Sequence, residues 1–142
     1  MTRRIAREKA FQALFQIEVG RIKTDDALLE IATEGDLNQK DLGYLQQVVL
    51  GTIDHLPEID RYICRNTHAW ELDRLANVDK TLLRLATYEM LYLPEIPRVV
   101  SIYEAVELAK TYNSDEAGRF VNGLLDNIRL ELEVAKGDSP SV

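Results

Sequence analysis

The 142-residue chain lacks most of what would build a catalytic or metal centre. It has one cysteine, Cys64, and two histidines, His55 and His68. A single thiol closes no internal disulfide, and two separated histidines without partner ligands make no zinc framework. There is no glycine-rich phosphate loop and no G-x-S-x-G turn to raise a nucleophilic serine. Cys64 follows Ile63 in an apolar setting and reads as a small core residue rather than a nucleophile. Acid pairs such as Glu104 with Glu107 read as a solvated helix face. Long apolar runs are missing too: nothing approaches the roughly 20 residues of a membrane span. The basic stretch from Met1 to Lys9 is not followed by the apolar segment of a secretory signal. These absences point to a cytoplasmic protein that is no enzyme, with no cofactor, no metal and no membrane partner.

Glycine and proline are also few, seven and four, while leucine and alanine are abundant. That mix favours helix over strand. A hydrophobic fraction of 46% with 29% charged residues is globular. The length suits one domain, expected over residues 1–136 with a frayed tail at 137–142.

Net charge is −7, which as a bulk property argues against nucleic acid. Its distribution argues the other way. Residues 1–23 hold six cations (Arg3, Arg4, Arg7, Lys9, Arg21 and Lys23) against two acids, so the remainder is strongly acidic. A basic end on an acidic body suggests a localised polyanion site, and equally a solvated terminus that aids solubility.

Hydrophobic spacing outlines the helices. Ala6, Ala10, Ala13, Leu14 and Ile17 make the stripe of a first helix, with Thr2 as its cap and Gly20 as its stop. Thr24 caps a second helix that ends near Gly35. A third starts near Asn38 and carries Leu42, Leu45, Val49 and Ile53. Pro57 opens a fourth that runs to Arg65. Trp70 to Ala76 allows one short turn. Leu82, Leu85, Ala86 and Met90 mark a fifth helix, closed by Pro94 and Pro97. Ser101-Ile102-Tyr103-Glu104 has the capping-box pattern of a sixth, and Ser114 caps the last. The expectation is an all-α fold of six to seven helices in two small antiparallel bundles that share a core.

The first helix holds the most informative row. Arg3, Arg7, Phe11 and Phe15 recur every four residues, with Arg4 beside them. Arginine forks match phosphate, and an aromatic further along the row offers a stacking platform for an unpaired base. The arginines are expected at the surface. Phe11 reads as core, and Phe15 is balanced between core and platform. A second candidate runs from Lys110 to Asn113 and from Arg119 to Gly123. Here spacing puts Arg119 and Asn122 on one side of the last helix. Asn122 is a buried hydrogen-bond hub or a base reader with equal weight, and Gly123 reads as a helix-packing glycine. A third candidate is Asp73 to Lys80, where Asn77 or Asp79 is expected to cap the next helix. Its charges could instead dock a protein partner.

At these same segments the chain resembles the NusB family of bacterial transcription antitermination factors. The matching strings are Ala6-Arg-Glu-Lys-Ala-Phe-Gln-Ala-Leu-Phe15, Leu72-Asp-Arg-Leu-Ala-Asn-Val-Asp79, Leu83-Arg-Leu-Ala-Thr-Tyr-Glu89, Glu104-Ala-Val-Glu-Leu-Ala-Lys110 and Phe120-Val-Asn-Gly-Leu-Leu-Asp126. The resemblance covers the chain from about Arg3 to Ile128. Tyr103 and Asn113 depart from the family pattern, which usually has Asn and Gly there. The resemblance implies binding to the boxA RNA element of ribosomal RNA leader transcripts. It also implies a heterodimer with the ribosomal protein NusE and entry into the elongating RNA polymerase complex with other Nus factors. On the RNA side it implies Arg3, Arg4, Arg7, Phe15, Lys110, Tyr112, Arg119, Phe120 and Asn122. On the partner side it implies Asp79, Arg84 and Tyr88. The alternative is a helical protein-binding scaffold without specific RNA recognition.

Overall fold

The computed structural model describes residues 2–34, 37–67 and 72–135, with side chains from residue 4 onward. The expectations for the Arg3 side chain, Gly35, Trp70 and the 137–142 tail lie outside the described residues. Among those described, the chain forms seven α-helices and one 3-10 turn. The helices are α1 (Thr2–Glu18), α2 (Thr24–Glu34), α3 (Gln39–Asp54), α4 (Leu56–Arg65), α5 (Asn77–Tyr92), α6 (Arg98–Tyr112) and α7 (Asp115–Ala135). The 3-10 turn, Leu72–Arg74, precedes α5. The backbone divides into two compact units, residues 1–54 and 55–142.

In the first unit α1 packs on α3 and on α2. Ala6, Ala10, Phe11, Ala13 and Leu14 of α1 are buried, as are Ala27 and Ile31 of α2 and Tyr44, Leu45, Val48 and Val49 of α3. Three alanines on one face of α1 let backbones approach closely. The exit from α1 is tight: a Cβ on Gly20 would lie 2.8 Å from the Gln16 carbonyl oxygen. Arg21 follows with φ of 56°, and the Ile22 N–H donates to that same carbonyl at 3.2 Å. Asn38 caps α3, its Oδ1 accepting from the Asp41 N–H at 2.8 Å.

In the second unit α6 and α7 form the largest pairing, and α5 packs on α4, α6 and α7. Leu82, Leu83, Val121, Leu125 and Ile128 are fully buried, each stabilising the fold by roughly 1.5–3 kcal/mol. The helix starts follow the prolines more than the side-chain caps. Pro57 lies in the first turn of α4. Ala76 and Pro97 occupy the N-cap positions of α5 and α6 without side-chain hydrogen bonds. Two expectations are therefore corrected. Neither Asn77 nor Asp79 caps α5, and Ser101 lies inside α6 rather than at its start. Pro97 sets that start, and Ser101 Oγ instead donates to Oε1 of the buried Glu89 at 2.6 Å. Ser114 does cap α7, accepting from the Ala117 N–H at 3.0 Å. Cys64, expected in the core, is exposed; the buried stripe of α4 is Ile59 and Ile63, and position 64 points away from it.

Candidate nucleic-acid interface

The basic row of α1 does not stay at the surface. Arg4 is exposed, but Arg7 is only 4% exposed. The expectation that the arginines are external fails at Arg7. Its guanidinium carbon stands 5.7 Å from the Tyr44 ring centroid on α3, a cation–π arrangement. Arg7 shares its face with Ala10, Phe11 and Leu14, and the small alanine leaves room for the stem. Phe11 is buried, as expected. Phe15 is half-buried, its ring centroid 5.9 Å from that of Phe11 and tilted by 50°. Part of the Phe15 ring thus reaches the surface on an anchored base.

In the second unit the end of α6 and the start of α7 meet at the Asn113–Ser114 turn. Lys110, Tyr112, Arg119 and Asn122 are exposed there, and Phe120 is half-buried. Lys110 Nζ lies 3.5 Å from Glu107 Oε2 one turn earlier. Arg119 and Asn122 share the outer side of α7, and the exposure of Asn122 removes its reading as a buried hub. Gly123 does not pack against another helix. A Cβ there would meet nothing within 4 Å, so the helix-packing reading is corrected. The glycine that does meet a neighbour is Gly118, which helical spacing does not single out: a Cβ on it would lie 2.8 Å from Lys110 Cγ.

The residues expected to face a protein partner are internal. Asp79 is 6% exposed and accepts from Asn113 Nδ2 at 3.2 Å. Arg84 holds Asp60 of α4 through two parallel bonds, Nε to Oδ1 and Nη2 to Oδ2, both 2.9 Å. Tyr88 is 5% exposed, and its ring is stacked 5.2 Å from Tyr92. The cause is α5 itself, which is buried from Asp79 to Met90 with only Arg84 part-exposed. Around it His55 and Tyr92 lie with ring centroids 4.3 Å apart. The Tyr92 hydroxyl donates to Glu58, and that bond, with burial, pushes the phenol up to about 12.

Burial raises the Asp79 carboxyl above the ordinary aspartate value, against the opposing bond from Asn113. A carboxyl raised in the folded state lends stability below the unfolded-state value, and that stability is lost as pH climbs through the folded one. Asp79→Asn is therefore expected to melt higher than the native protein near neutral pH. The gain should fade as pH drops below the ordinary aspartate range. Melts across pH 3 to 7 test this, and an equal gain at every pH would rule the carboxyl out as the cause.

Among the described residues no group of three His, Cys, Asp or Glu side chains is placed to hold a metal ion. No helix there is long and apolar enough to cross a membrane.

Residues 4–129 match the model of the NusB family. The chain is 48% identical over 128 residues to the transcription antitermination protein NusB of an Exiguobacterium species, covering 90% of this chain and 97% of that protein. It is 46% identical over 133 residues to NusB of Bacillus subtilis, covering 94% and 98%. Among solved structures, NusB of T. maritima superposes with a TM-score of 0.85 at 41% identity, covering 91% of each chain. A NusB solved with NusE and double-stranded RNA superposes with a TM-score of 0.82 at 29% identity, covering 89% of this chain and 95% of that one. On the strength of that family match and of relatives nearly half identical over almost their whole length, this chain belongs to the NusB family.

Proposed function

We propose that this protein is an RNA-binding transcription antitermination factor of the bacterial cytoplasm. It binds the boxA element of ribosomal RNA leader transcripts together with NusE and joins the elongating RNA polymerase with other Nus factors. It catalyses no reaction. The observation that carries this reading is the near-half identity to antitermination proteins over almost their full length, and a related NusB solved with both NusE and RNA supports it.

The side chains suit the task. Arg4 on α1, with Arg3 beside it in sequence, supplies phosphate contacts, and the exposed part of Phe15 supplies a stacking surface. Lys110 and Arg119 supply two further cations, Tyr112 and Phe120 two aromatic faces, and Asn122 an amide that can read a base edge. Arg7 acts from inside: held over Tyr44, it steadies α1 rather than touching RNA.

Fluorescence anisotropy with a boxA oligonucleotide and a scrambled one, each with and without NusE, tests the reading. Tighter binding of boxA is expected, strengthened by NusE. Arg4→Glu is expected to weaken boxA binding about tenfold and to flatten its salt dependence. Equal affinity for the two RNAs with NusE present would overturn the reading in favour of a protein-binding scaffold.

A further inference from the structure

We propose that Gly118 is a positioning residue that aims the Lys110 ammonium at an RNA phosphate; this rests on the RNA reading above. Gly118 lies buried in the first turns of α7, facing the end of α6. A Cβ there would lie 2.8 Å from Lys110 Cγ, 3.4 Å from Lys110 Cε and 3.5 Å from Val106 Cγ1. The missing side chain is replaced by the lysine stem, which lies flat across bare helix backbone. Gly43 of α3 and Gly123 of α7 differ, since a Cβ on either meets nothing within 4 Å.

The close atom is decisive. Cγ is near the root of the lysine side chain, so it can give way only by rotation about the first side-chain bond. That rotation carries the ammonium several ångström away. The far end is tethered as well, with Nζ 3.5 Å from Glu107 Oε2. Lysine is flexible and loses much rotamer freedom when it is fixed on a phosphate. Here the stem is ordered in advance, while the side chain as a whole stays 44% exposed, with its head beside the Glu107 carboxylate. The exposed Arg119 directly follows Gly118 in the chain. The glycine thus fixes the ammonium at the end of α6, and Arg119 adds a second exposed cation on the adjacent side of α7, both suited to the phosphate backbone of RNA. A phosphate oxygen takes the place of the Glu107 carboxylate on binding.

The test uses the full chain and a boxA oligonucleotide over a potassium chloride series. Gly118→Ala is expected to weaken binding about fivefold and to reduce the log–log salt slope by about 0.7, the value of one single-strand phosphate contact. Lys110→Ala is expected to do the same, and the double variant to be no worse than either. In the free protein, nuclear Overhauser contacts between the Lys110 stem and the Gly118 α-protons are expected, and their loss on substitution. A merely structural glycine would lower Tm and leave the salt slope untouched, which overturns the proposal. So does a Gly118→Ala loss that adds in full to that of Lys110→Ala. Failure of positioning alone leaves the Lys110→Ala loss in place. If Lys110→Ala and Arg119→Ala both bind as the native chain does, the RNA assignment of this corner falls, and the proposal with it.

Discussion

A chain carrying Lys110→Glu and Arg119→Glu together is expected to bind boxA RNA about 100-fold more weakly than the native protein, roughly 2.7 kcal/mol. On the proposed RNA surface, each substitution would remove a cation from a phosphate and install a repulsion at the same point. The log–log salt slope is expected to shrink by about 1.4, because two phosphates of a single strand are no longer neutralised. Both side chains are exposed, so Tm should fall by only a few degrees, about 1 kcal/mol or less. Lys110 gives up the weak, half-exposed pair with Glu107 and the outer part of its packing on Gly118, a small loss beside the effect on binding. Affinity within threefold of the native value would remove the α6–α7 corner from the RNA surface.

A large stability effect is expected at Ser101. Its Oγ donates at 2.6 Å to Glu89, whose side chain is fully buried while Ser101 is 1% exposed. The bond ties α5 to α6 across a largely apolar seam. A buried acid that loses a donor has no water to replace it. Ser101→Ala should therefore destabilise the protein by about 2 kcal/mol, a fall in Tm of about 8 °C. Guanidinium titration should show the midpoint falling with an unchanged slope. A loss under about 0.5 kcal/mol would mean that the bond from Ser101 adds little to the hold on Glu89.

Most of the fold is legible in the sequence because α-helical spacing and punctuation agree. Asn38, Pro57 and Ser114 each stand where a helix begins, and the apolar stripes between them are buried. The errors share one cause: a local pattern has more than one use. Ser101 and Glu104 have capping-box spacing, but Ser-x-x-Glu also fits a helix interior, and Pro97 is the earlier start signal. Spacing by fours groups Arg7 with Arg3 and Phe15. Arg7 also stands three, four and seven residues before Ala10, Phe11 and Leu14, a stripe that carries it inward. Position 64 falls just past the Ile59–Ile63 stripe, so it points outward despite its apolar neighbours.

What is legible on α6 and α7 is exposure: Lys110, Tyr112, Arg119 and Asn122 all stand at the surface. Burial at the expected partner positions is not legible. Asp79, Arg84 and Tyr88 sit on a helix whose buried stripe is so wide that even its polar residues are enclosed. Gly118 is equally hidden. It stands three and seven residues before the buried Val121 and Leu125, which shows a buried face, but not that a lysine stem from another helix lies across it.

The exposed thiol on α4 has a practical consequence. Because Cys64 is the sole cysteine and faces outward, a maleimide dye attaches at one known place and in one copy per chain. It lies on neither α1 nor the α6–α7 corner. A donor fluorophore there can be paired with an acceptor on the RNA end, so that complex formation and strand polarity are followed by energy transfer in the native sequence.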